Sequence, residues 1–143
     1  MHKQAINLLK NLDRHILITG ATGTGKSTLL AEVRIDDSDS KYYHFPELNA
    51  GTQYVELCEE NFDHFDFLDV PEKTLILDGV HVSEDLNNSR VVQFIKTARK
   101  HGKRLIVVTF PSDGERIKPL FGAVITLSGG VNSERTCDVE VLS

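Results

Sequence analysis

The sequence predicts an α/β fold, a three-layer sandwich with helices on both faces of a mostly parallel sheet. Three observations predict it. A glycine-rich segment, Gly20-Ala21-Thr22-Gly23-Thr24-Gly25-Lys26-Ser27, lies between the apolar run Ile16-Leu17-Ile18 and the helix-forming stretch Thr28-Leu29-Leu30-Ala31-Glu32-Val33. The runs Thr74-Leu75-Ile76-Leu77 and Leu105-Ile106-Val107-Val108 are apolar without alternation, as strands covered on both faces must be. Stretches of helical period separate these runs, so strands and helices alternate along the chain.

In chain order, Ala5, Leu8, Leu9 and Leu12 recur at helical spacing and predict a short leading helix. A first strand follows at about His15 to Thr19, then the glycine loop, then a helix from Lys26 to about Val33. The polar cluster Asp36-Asp37-Ser38-Asp39-Ser40 reads as a turn, and Tyr42-Tyr43-His44-Phe45 as a second strand stopped by Pro46. Val55, Cys58, Phe62, Phe65 and Leu68 fall three or four apart, which predicts a helix from Thr52 to about Leu68 with its aromatic stripe turned to the core. Thr74 to Asp78 is the next strand. Ser83 or Ser89 caps the following helix, which turns Val91, Val92, Ile95 and Ala98 inward and ends at Gly102. Leu105 to Thr109 and Ala123 to Leu127 are further strands. Cys137 to Val141 alternates like an edge strand with one wet face.

Length and charge bound what this frame can carry. A chain of 143 residues suits one compact domain over residues 1–143, with no repeat, low-complexity segment or linker. Its formal net charge of −5 argues against nucleic acid held over the whole surface. A local basic stretch remains, Lys96, Arg99, Lys100, His101, Lys103 and Arg104, and charges closing a helix read first as a solvated face favoured by the macrodipole. No run approaches the roughly 18 apolar residues of a membrane span and no signal-peptide pattern opens the chain, so the expectation is a cytoplasmic protein without membrane insertion. Cys58 and Cys137 lack metal-ligand spacing and read as reduced thiols.

The glycine segment carries the chemistry. Its glycines let successive N–H groups converge on one concavity, and the helix behind it adds a positive end, which together make a phosphate cradle from Gly20 through Ser27 and Thr28. Lys26 then reaches the β- and γ-phosphates and the Ser27 hydroxyl takes one Mg²⁺ position. The plain alternative is a glycine turn in a parallel sheet. Asp78 ends a buried apolar strand, and at that tip a carboxylate can hold Mg²⁺ through a water; the plain alternative is an acid capping the next turn.

The G-x-x-x-x-G-K-S segment resembles the Walker A loop of P-loop NTPases, and Asp78 then resembles their Walker B acid. The chain lacks the Asp-x-x-Gly and Asn-Lys-x-Asp segments of GTPases. Leu127-Ser128-Gly129-Gly130-Val131 resembles an ABC signature but stands nearly fifty residues after Asp78, on the wrong side of it, and reads as a glycine turn. A small-molecule kinase, which brings an arginine-rich lid, is the runner-up, since Arg116 and Arg135 stand alone here. From about residue 14 to 128 the chain resembles the additional-strand class, the RecA-like, DNA-translocase and secretion-motor ATPases.

That resemblance implies ATP and Mg²⁺ as ligands, hydrolysis of the β-γ phosphate bond and a glutamate that orients water. Gly79 follows Asp78, so the glutamate is not adjacent. Glu47, some twenty residues past Lys26, matches the alternative placement on a neighbouring strand, against the reading of a surface turn acid; Glu84 and Asp85 are weaker substitutes. Thr109 matches the position of a polar γ-phosphate sensor. The resemblance further implies a homo-oligomeric ring with an arginine donated by the neighbour, for which Arg90, Arg99, Arg104, Arg116 and Arg135 are candidates, and stimulation by nucleic acid or a secretion or translocation partner. A nucleotide-binding regulatory module with little turnover stays open beside the ATPase and the kinase.

Overall fold

The computed structural model describes residues 3–21, 26, 29, 40–44, 71–79, 90–129, 134 and 136–142. Helix α1 spans Lys3–Asn11 and buries Ala5 and Leu9. Strand β1, Ile16–Thr19, is buried at every position. Strand β2 covers Ser40–His44 and β3 covers Thr74–Asp78. Helix α2, Arg90–Ala98, continues into a 3₁₀ turn, Arg99–His101, which Gly102 closes in the left-handed region at φ 75°. Strand β4, Arg104–Thr109, is buried throughout; a short helix α3, Pro111–Ile117, follows, and then strands β5, Ala123–Ser128, and β6, Thr136–Val141. The helices expected over 52–68 and beyond Leu29 lie outside the described residues, as do Phe45 and Cys58.

The sheet runs in the order β2-β3-β4-β1-β5-β6. Its first five strands are parallel and β6 returns antiparallel at the edge. Two apolar clusters explain the order of layers. Leu17, Leu75, Leu77, Leu105 and Val107 point to the face covered by α2 and by Ile117 of α3. Ile16, Ile18, Ile76, Ile106 and Val108 point to the other, where α1 and Leu29 cover them. Neighbours along each strand thus alternate between two dry faces, and this is why the sequence shows unbroken apolar runs rather than a period of two. Strand β6 has only one dry face: Cys137 and Val139 are half-buried while Thr136, Asp138 and Glu140 are exposed. Burial and the neighbouring Asp138 push the Cys137 thiol up, which favours its protonated form.

The basic stretch after α2 corrects the expectation of a solvated face at two positions. Lys96, Arg99, Lys100 and His101 are exposed, but Lys103 and Arg104 are buried. Arg104 donates from one terminal nitrogen to the Leu12 carbonyl at 2.8 Å and from Nε to Thr74 Oγ1 at 3.2 Å, and Lys103 Nζ donates to the Glu72 carbonyl at 2.6 Å. These cations tie the amino ends of β3 and β4 to the end of α1. Carbonyl acceptors satisfy them where water cannot.

His15 makes a second tie at this end. Its Nδ1 accepts from the Leu105 amide at 3.0 Å and its Nε2 faces the Ile95 carbonyl at 3.2 Å, so the ring is neutral with the proton on Nε2. Burial, with smaller contributions from Arg99 and Arg104, holds its pKa below the ordinary 6.5, against the pull of the Ile95 carbonyl. A lowered folded value means that the unfolded chain binds more protons as the pH drops below 6.5. Stability is therefore full above pH 6.5 and falls as the pH passes down towards the folded value. Urea midpoints at pH 7.5 and pH 5 should differ in that direction, and the His15 part of the difference should vanish in His15→Phe. An equal pH slope for parent and variant would exclude His15 as a source.

Candidate functional site

The parallel strands bring one set of chain ends to a common edge. Register places His44, Asp78, Val108, Ile18 and Ile125 side by side across β2, β3, β4, β1 and β5, with Thr109 and Thr19 paired one step further on. Gly20, the first loop glycine, follows directly. In open parallel sheets, ligands lie outside this carboxyl edge. Grooves of about 590 Å³ around Arg14, His15 and Arg99, and of about 320 Å³ around Lys73 and Arg104, open instead at the amino ends of the strands. They lie at the wrong end of the sheet for strand-tip chemistry, and the strand register outweighs them in placing the site.

Within the loop, Gly20 is buried, Ala21 is exposed and Lys26 is helical and half-buried. Thr22, Gly23, Thr24, Gly25, Ser27 and Thr28 lie outside the described residues, and so does Glu47. The Lys26 ammonium donates to the Gly20 carbonyl. It also stands 4.4 Å from the centre of the Phe110 ring. Sequence reasoning passed over Phe110, and no local pattern marks it, because its relation to Lys26 exists only once β4 lies beside β1.

Asp78 is half-buried at the tip of β3, and β4 separates it from β1. Strands stand about 4.8 Å apart, so Asp78 lies roughly 10 Å across the sheet from β1, a distance at which a water can bridge a carboxylate to a cation seated over the loop. A single carboxylate at that distance suits Mg²⁺, which keeps most of its waters. Among the described residues, no three His, Cys, Asp or Glu side chains gather into a full metal cage.

The residue after Asp78 has a backbone reason for its identity. Gly79 adopts φ 91°, and its amide donates to the Val108 carbonyl at 2.9 Å, which locks the chain end of β3 onto β4. A glutamate here would carry a Cβ into the left-handed region at a cost of about 1 kcal/mol or more. Thr109 is 1% exposed, at the tip of β4 and in register with Thr19. Of the arginine candidates, Arg104 and Arg99 belong to the amino end of the sheet, away from the loop. Arg116 pairs with Asp113 at 3.2 Å on α3. The Arg90 side chain and Arg135 lie outside the described set. No helix among the described residues is long and apolar enough to cross a membrane.

No family model matches the chain, and no curated protein does. Solved structures do. The N-terminal domain of zonular occludens toxin from Neisseria meningitidis superposes with a TM-score of 0.59 at 18% identity, over 90% of this chain and 83% of that one. The pilus retraction motor PilT with bound ADP superposes with a TM-score of 0.58 at 16% identity, over 100% of this chain and 51% of PilT, so the chain spans about half of PilT's length. At these identities the likeness is one of fold. Strand order agrees with it, since β4 stands between the loop strand and the Asp78 strand. The chain has a P-loop NTPase fold of RecA-like architecture.

Proposed function

We propose that the chain is a Mg²⁺-dependent ATP-binding protein that hydrolyses the β-γ phosphate bond. One observation carries this reading: the G-x-x-x-x-G-K-S segment leaves the carboxyl end of β1 and leads into helical Lys26, with Asp78 at the same edge one strand removed. The backbone from Gly20 to Ser27, with Thr28, cradles the phosphates. Lys26 stabilises the charge that grows on the transferring phosphoryl, where a preorganised cation acts most strongly. Ser27 directly, and Asp78 through water, would hold Mg²⁺, which when bound draws charge from the β- and γ-oxygens. Thr109 senses the γ-phosphate from the tip of β4. Glu47, three residues past the end of β2, orients the attacking water; β2 pairs with β3, which supports that placement. That PilT is a pilus retraction motor with bound ADP supports a motor role; the ring of identical subunits, the nucleic-acid or secretion partner and the cytoplasmic location belong to the proposal as what the sequence resemblance implies.

A second reading has its own observation. The φ of 91° at Gly79 disfavours a glutamate beside Asp78, and a core without that base suits a nucleotide-binding regulatory module of low turnover. Phosphate release from ATP and from GTP, with and without Mg²⁺, separates the two readings, since the module binds without release. Asp78→Asn keeps the shape and removes the charge, so it should weaken the Mg²⁺ dependence of nucleotide binding about tenfold or more while metal-free binding changes little. Superimposable Mg²⁺ titrations of parent and variant would remove Asp78 from the metal site.

A further inference from the structure

We propose that Phe110 is a positioning residue for Lys26, holding the ammonium over the phosphate loop without neutralising it. The inference rests on the nucleotide-binding reading above and adds to it a residue outside the loop. The ammonium's contacts include the Gly20 carbonyl, which accepts from it, and the Phe110 ring, whose centre lies 4.4 Å away. A lysine stem has many rotamers, and fixing them before a ligand arrives removes that cost from binding. A carboxylate in the place of the ring would fix the ammonium equally well but would cancel the charge that a phosphate needs. The negative face of an aromatic ring attracts the cation and adds no counter-charge.

The surrounding backbone holds the ring where this requires it. Phe110 directly follows Thr109, whose Cα partner is Thr19, the residue before Gly20. It takes extended φ −77° and ψ 157° at the start of α3, and Pro111 occupies the first helical position. The Gly114 amide donates to the Phe110 carbonyl at 3.0 Å and closes that first turn. Gly114 itself lies against Thr19, where even a methyl group would come within 2.4 Å of Thr19 Cγ2. The segment from Phe110 to Gly114 is thus seated on the tip of β1 at one end and presents its ring to Lys26 at the other.

The test uses Phe110→Leu, which keeps apolar bulk and removes the ring, and Phe110→Tyr, which keeps the ring. In the nucleotide-free protein, the Lys26 ε-methylene protons should show an upfield ring-current shift in the parent and in Phe110→Tyr, and lose it in Phe110→Leu. Affinity for Mg·ATP and for inorganic pyrophosphate should fall about three- to tenfold in Phe110→Leu and stay within about twofold of the parent in Phe110→Tyr. If the parent lacks the shift, or if Phe110→Leu binds both ligands like the parent while folded by its melting curve, the proposal is overturned. A parent that shows the shift yet binds neither ligand overturns the nucleotide reading and leaves Phe110 as the anchor of Lys26. Equal losses in the Leu and Tyr variants would reduce Phe110 to packing and overturn its positioning role.

Discussion

Lys26→Ala should lower Mg·ATP affinity by more than about a hundredfold, about 3 kcal/mol, because the substitution removes from the phosphates a positive charge that the backbone amides and the metal do not replace. The folded protein should lose far less. Lys26 is half-buried, and its contacts include the Gly20 carbonyl and the Phe110 ring. Deleting one such hydrogen bond costs about 1 kcal/mol. Calorimetric titration with Mg·ATP, beside a thermal melt of the free protein, separates the two quantities. A variant that melts like the parent and still binds ATP like the parent would remove Lys26 from the phosphate site.

Gly114→Ala should destabilise the fold although alanine is the better helix former. The helix-propensity gain is about 1 kcal/mol at most. Against it stands a new methyl 2.4 Å from Thr19 Cγ2 and 3.7 Å from Leu17 Cδ2, in a region where Thr19 and Leu17 are both buried. Overpacking of this kind costs about 1–3 kcal/mol, so the clash wins. The clashing atom can be removed: Thr19→Ser deletes Cγ2 and keeps the hydroxyl, and the double variant should recover most of the loss. Urea midpoints of the parent, the two single variants and the double variant form the cycle, and simple additivity would show that the two residues do not meet. Because Thr19 leads directly into Gly20, the single variant Gly114→Ala should weaken ATP binding as well.

Much of this was legible in the sequence because it depends on near neighbours in the chain. The four-residue run before Asp78 could belong only to a strand dry on both faces, and β3 has those bounds. Gly102 declared itself by its place after a helix with basic residues in its last turn; the φ of 75° is what that position demanded. The alternation of Cys137 to Val141 foretold the wet edge of β6.

Other features were decided only by the fold. Helix α3 has no counterpart among the elements expected from the sequence, because Pro111 and Gly114 interrupt any apolar helical period there, yet Ile117 and the bare Gly114 backbone give it a dry seat on β1. The basic stretch looked uniformly solvated, yet β4 carries Lys103 and Arg104 under the end of α1, where Leu12 and Glu72 carbonyls replace water. The chain itself states that Lys26 closes a glycine-rich segment. That its ammonium rests on Phe110, eighty-four positions away, follows from β4 pairing with β1. Local periods and glycine spacings record which surfaces must be buried and where the backbone must bend. Which buried surface meets which is settled by the packing of all the strands together, and it is that packing which sets a ring beside the cation of the loop.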